Sequence, residues 1–179
     1  MKRYIVIAQN ENQSPAHRRT LIEELRSRGF NVIDVRVGSR HIEVDMLSQQ
    51  PPSIDGLKVT EVVEVGPGCQ ESPYDCFRKA VRLFDSERFW EAHETLEGIW
   101  RTSKGVVKDF LHGLILTAAA FVHLQKGDER GFSSIVERAT REFKNADVEV
   151  WGLSSRKILE RLEEARETMK GFSLSSLFS

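Results

Sequence analysis

The sequence predicts an α+β protein in two parts: a small β-α-β-β-β module over residues 1–66, then an all-α bundle of about five helices over residues 72–170. Three observations carry this expectation. Short runs with strand-like alternation fill the first part, whereas apolar residues recur at helical spacing through the second. Between them, Gly66-Pro67-Gly68 and the polar residues up to Pro73 break both patterns and mark the boundary.

The first strand is the β-branched run Tyr4-Ile5-Val6-Ile7-Ala8. Ser14 as N-cap and Pro15 at the first helical position start a helix with Leu21, Ile22 and Leu25 on one face, and Gly29 ends it. Residues 31–37 and 40–47 alternate apolar and polar side chains, as half-buried strands do, with Gly38-Ser39 as the turn between them. A Ser-, Gln- and Pro-rich loop over residues 48–55 leads to a fourth strand at 57–65. This order suits a partly antiparallel sheet; a partial ferredoxin-like sheet is one candidate, and an early parallel β-α-β step is another.

The five helices are expected at residues 73–86, about 88–103, 106–126, 129–146 and from Ser154 or Ser155 to about Lys170. The third is apolar nearly all the way round from Phe110 to Leu124, the mark of a helix surrounded by others. The Ser-rich tail from Gly171 carries Leu174, Leu177 and Phe178 and is expected either to fray or to dock on the bundle.

The net charge of −1 argues against a protein held to nucleic acid by bulk charge. Basic residues do collect in the first forty positions, where Arg18, Arg19, Arg26 and Arg28 line the first helix, but such runs are usually solvated surface. The longest apolar stretch, about residues 110–124, is shorter than the ~20 residues a bilayer span needs and contains His112 and His123. No membrane association is expected, and homo-oligomerisation is left open. Cys69 and Cys76 form neither a CxxC pair nor a disulfide framework, so reduced thiols and a cytoplasmic location are expected. No GxGxxG or GKS/GKT sequence follows the first strand, so a phosphate cradle is not expected there.

The chemistry concentrates in residues 88–100, RFWEAHETLEGIW. With Phe89 at zero on a helical wheel, Ala92, Leu96 and Ile99 lie within about 80° on one side, while His93 and Trp100 lie about 40° and 20° away on the other. Two groups able to carry charge or bind metal thus accompany the apolar stripe: His93 within it, and Glu97, one turn further on, at its edge. Glu94 falls about 140° round and points away from the main core. A metalloprotease helix needs HExxH; here the second ligand position is Glu97, whose carboxylate can also ligate zinc, manganese or iron. His112 and His123 share one face of the central helix, and one of them can close a metal set with His93 and Glu97; His123 is the first candidate and His112 the other. Glu94, Trp100 and His112 are the candidate lining of a ligand site. The alternative is a purely structural network in which Glu97 accepts a hydrogen bond from His93 and Trp100 packs over both.

The pattern Phe89-x-x-x-His93-Glu94-x-x-Glu97-x-x-Trp100, followed by Phe110-Leu111-x-Gly113-Leu114-Ile115-x-x-Ala118-Ala119 and then His123 and Gly127, resembles the bacterial and archaeal family known as domain of unknown function 309. That family is described by an HxxxExxW motif with a suggested metal-binding role. The resemblance implies an all-helical domain, maps the motif onto His93, Glu97 and Trp100, and matches His123 to a later family His. Leu116 departs from the Gln common among relatives, as does His112 at its position. The resemblance implies no established reaction. The functional expectation is a polar site on His93, Glu97 and Trp100 that binds a divalent metal (Zn, Mn or Fe) or a small ligand, with hydrolysis as the reaction class. The alternative is a non-enzymatic interaction module.

Overall fold

A computed structural model describes residues 1–144 and 147–178. The chain forms two compact units, one of Met1–Pro67 with Gln125–Gly127 and one of residues 68–124 and 128 onward.

The first unit is a four-stranded antiparallel sheet with one helix. Its elements are β1 (Lys2–Gln9), α1 (Arg18–Ser27), β2 (Asn31–Val37), β3 (His41–Ser48) and β4 (Val59–Glu64), and the strand order is β2-β3-β1-β4. β1 and β2 therefore run in the same direction but do not pair, because β3 lies between them and is antiparallel to both. This is the strand order of a ferredoxin-like sheet, with the irregular segment 49–58 where a second helix would cross. The helix start at Ser14-Pro15 is present, although its first turn, Pro15–His17, is a tighter 3₁₀ turn.

Register decides which side chains share a face. Val6 opposes Val44, which opposes Val35, and these pack with Val37, Ile42, Met46 and Leu25 of α1. Each such side chain contributes up to about 1.5–3 kcal/mol by leaving water. The opposite face carries Arg36, Glu43 and Asp45, each no more than 1% exposed. Alternation alone suggests that these polar residues face water; instead they neutralise one another. Arg36 Nε donates to Glu43 at 2.6 Å, and Arg36 Nη1 to Asp45 at 3.3 Å. Arg3 grips the two Asp45 oxygens at 2.8 and 2.6 Å. His41 is only 12% exposed at its side chain and lies 3.2 Å from Glu43. Burial would raise the Glu43 pKa, but the His41 contact and the Arg36 guanidinium outweigh it and hold the carboxyl below its ordinary value.

The α1 arginines are engaged locally. Arg18 pairs with Asp34 at 2.6 Å and Arg19 with Glu23 at 2.9 Å, while Arg26 and Arg28 donate to the carbonyls of Val32 and Asp55.

The second unit holds five helices: α2 (Pro73–Asp85), α3 (Phe89–Thr102), α4 (Gly105–Gln125), α5 (Glu129–Lys144) and α6 (Ser155–Thr168). The expected α5 end at Ala146 lies outside the described residues. Ser72 caps α2 by accepting from the Asp75 N–H, with Pro73 at the first position. By length and composition α4 passes for a membrane span, but 61% of its most apolar window is buried, as the apolar circumference of a core helix requires. Phe121 of α4 stacks on Phe89 of α3 at 5.0 Å between centroids and meets Phe132 of α5 at 5.4 Å. Close approach of α4 and α5 depends on Gly113: a Cβ there would lie 2.7 Å from the Phe143 ring.

Three features extend or depart from the sequence reading. A two-residue hairpin joins β5 (Glu149–Val150) to β6 (Leu153–Ser154), turning at Trp151 and Gly152 with φ of 50° and 84°. Two consecutive positive φ values define a type I′ turn, which is normally signalled by Asn-Gly rather than Trp-Gly. The Trp151 ring rests 4.9 Å from Phe77. Second, the tail docks: Leu174 and Leu177 are buried, and Asp85 accepts from the Leu174 and Ser175 N–H groups. Third, Cys69 and Cys76 form a disulfide instead of remaining reduced, because the first turn of α2 brings their Cα atoms to 5.7 Å.

Candidate functional site

The site is built on the outer edge of α3. Phe89, Ala92, Leu96 and Ile99 point into the core, which fixes the rotation of the helix and leaves His93, Glu94 and Glu97 along one border. His93 is 23% exposed and Glu97 32%, so the two side chains sit at the surface of the bundle and do not lie inside it. Potential ligand atoms of His93, Glu94 and Glu97 all lie within 4.8 Å of one another.

His93 is oriented from behind. Its Nδ1 is 3.4 Å from the carbonyl oxygen of Ile115 on α4. A carbonyl only accepts, so in the tautomer that donates Nδ1–H to Ile115 the Nε2 atom faces Glu97 as a free ligand nitrogen, and a protonated Nε2 donates to Glu97 instead. Nε2 and Glu97 Oε1 are 3.4 Å apart. Two ligand atoms each about 2.1 Å from an ion, at a tetrahedral angle, are separated by about 3.4 Å. The other Glu97 oxygen, Oε2, accepts from Arg101 Nη2 at 2.9 Å. Glu94, which the wheel turned away from the core, is exposed and still reaches the cluster, because residues i, i+1 and i+4 can converge from one helical edge when their side chains are long.

The two histidines of α4 lie elsewhere. His112 is 3.4 Å from Glu142 of α5, and its ring lies 6.1 Å from that of Trp100. Trp100 is thus the neighbour of His112, and Lys108 Nζ sits 4.5 Å over its ring. His123, the expected third ligand, does not join His93 and Glu97. Its Nδ1 contacts Asp128 at 2.7 Å, at the start of α5. The reason is height along α4: His93 meets α4 at Ile115, and eight residues further on is about 12 Å of helical rise. Asp128 also accepts from the Gly131 N–H at 2.8 Å. That bond and the His123 contact hold its carboxyl below the ordinary value. A Cβ at Gly131 would press on the Asp128 carboxylate and the His123 ring, so a larger residue there would displace this exposed pair.

The comparison with known families falls on this same region. Residues 77–135 match the family described as Domain of unknown function (DUF309). The DUF309 match runs from Phe77 in α2 through α3 and α4 to Ile135 in α5, so it includes His93, Glu94, Glu97, Trp100, His112 and His123 and leaves out the sheet unit and α6. No curated protein matches the chain. Like the DUF309 resemblance in the sequence, the match names no reaction.

What the arrangement can do follows from its donors. One neutral imidazole nitrogen and two carboxylates suit zinc, manganese or iron. A single helical edge supplies only part of a coordination sphere, which leaves positions for water or a ligand on the solvent side.

Proposed function

We propose that the helical unit binds a divalent metal, zinc, manganese or iron, through His93 Nε2 and a Glu97 oxygen, with Glu94 as the third donor. The observation that carries this reading is the His93–Glu97 geometry: an imidazole tethered through Nδ1 to a backbone carbonyl, its free nitrogen 3.4 Å from a carboxylate oxygen. Metal-binding histidines are commonly oriented by just such a contact at the other ring nitrogen. An ion held by three protein donors keeps positions for water and lowers its pKa, so hydrolysis is the reaction class we assign to the site.

A second reading rests on Arg101. Its guanidinium already neutralises Glu97, so the edge can stand as a structural ion-pair network in a non-enzymatic module. Elemental analysis of natively purified protein, with Zn(II) and Mn(II) titrations of wild type, His93→Ala and Glu97→Gln, separates the two. Metal binding requires a stoichiometric site in wild type that either substitution weakens about 10-fold or more. An absence of stoichiometric binding in wild type, with His93→Ala altering only stability, leaves the structural reading.

A further inference from the structure

The charges beside the His93/Glu97 edge point to what a metal-loaded site would take up. Glu97 is divided between two partners, His93 on Oε1 and Arg101 on Oε2. Arg101 is itself 70% exposed at its side chain. Next to it in sequence, Trp100 carries Lys108 over its ring. Lys108 has no carboxylate partner among the described residues. Without metal, Arg101 offsets the charge of Glu97. A divalent ion that draws the Glu94 and Glu97 carboxylates to itself cancels their charge and strips Arg101 of its counter-ion. The edge then carries the uncompensated charge of Arg101.

On the metal-binding reading above, we propose that the loaded site binds a small oxyanion, a phosphate or carboxylate group, between the ion's open position and the Arg101 guanidinium, with Lys108 adding long-range attraction. Arg101 has two roles in this scheme. In the metal-free state it is a tethered cation that competes for Glu97. In the loaded state it swings to the incoming anion, for which its planar fork of donors is suited. Both steps make the metal and the anion help each other bind, and the coupling is reciprocal. The substrate class assigned to the site is therefore an anionic ester or acid, recognised only after metal is in place.

The test is Mn(II) binding followed by electron paramagnetic resonance of the free ion, in chloride alone, with inorganic phosphate, and with acetate, corrected for complexes formed in solution. Wild type is compared with Arg101→Ala, Arg101→Lys and Lys108→Ala. In chloride, Arg101→Ala should bind Mn(II) at least as tightly as wild type, because the competing cation is gone. Phosphate or acetate should tighten Mn(II) binding to wild type by about fivefold or more; the effect should vanish in Arg101→Ala, survive in part in Arg101→Lys and shrink in Lys108→Ala. The more effective anion identifies the group. Equal tightening in wild type and Arg101→Ala, or none in wild type with either anion, overturns the proposal while leaving the metal site standing. If wild type and Arg101→Ala both fail to bind Mn(II) and Zn(II), the metal reading fails, and this inference falls with it.

Discussion

His93 and Glu97 face each other across 3.4 Å, and each is held from behind by a different neighbour: His93 by the Ile115 carbonyl, Glu97 by Arg101. The two restraints differ in kind. The Ile115 carbonyl belongs to the backbone of the core helix and cannot leave. Arg101 is an exposed side chain that can. The edge is therefore fixed at its imidazole and adjustable at its carboxylate.

Both restrained groups should matter more to metal binding than the exposed Glu94. Glu97→Gln keeps shape and removes charge, and His93→Ala removes the oriented nitrogen; each should lower Mn(II) or Zn(II) affinity by about 10-fold or more. Glu94→Gln, at an exposed position, should cost less than either. Titration calorimetry of the three variants checks the order; a Glu94→Gln loss larger than that of His93→Ala would contradict it.

The sheet unit should lose stability in acid. Glu43 has a folded pKa below its ordinary value, so its stabilising contribution is complete above about pH 4.5, the unfolded value. It is lost as pH falls through the lower folded value, leaving Arg36 buried beside a neutral partner. Glu43→Gln creates that state at neutral pH and should destabilise the unit by about 3–5 kcal/mol. Urea unfolding at pH 7 and pH 4 measures both effects, and an acid sensitivity equal in wild type and Glu43→Gln would argue against this assignment.

Gly113→Ala tests the α4–α5 approach. Alanine gains about 1 kcal/mol of helix propensity over glycine. Its methyl would meet the Phe143 ring at 2.7 Å, and Phe143 is buried, so the ring cannot swing into water. Overpacking of this kind costs about 1–3 kcal/mol, and a net loss is expected. A thermal midpoint equal to or above that of wild type would show that the helices separate freely.

The disulfide should leave no thiol titratable until the protein is reduced and unfolded. Closing so short a loop stabilises by about 2–3 kcal/mol on the chain-entropy account. Cys69→Ser with Cys76→Ser should therefore unfold at lower denaturant. Two reactive thiols in the untreated native protein would refute the bridge.

Much of the fold could be read from local pattern. Ser72-Pro73 announces α2, and the apolar circumference of α4 announces a central helix. The helical wheel also located the His93–Glu97 edge. Other features lie beyond the reach of one-dimensional spacing. The alternation of β2 and β3 is the same whether Arg36, Glu43 and Asp45 face water or one another; only the pairing of Arg36 with Glu43 across the ladder decides it. A wheel gives angle but not height, so it put His123 on the correct side of α4 for a role that its distance from Ile115 prevents. The β5–β6 hairpin was hidden because Trp151 adopts a backbone conformation usually reserved for Asn or Gly.

The strand order has a consequence for how the sheet assembles during synthesis. β1 precedes its partners in the chain, yet its neighbours are β3 and β4, with Val6 waiting for Val44 on one side and Val62 on the other. A ribosome therefore releases β1 well before either of its partners, and both of its hydrogen-bonding edges stay bare until β3 has emerged through Ser48. Removing β1 would not trim an edge; it would separate the β2–β3 ribbon from β4 and leave no sheet to rebuild.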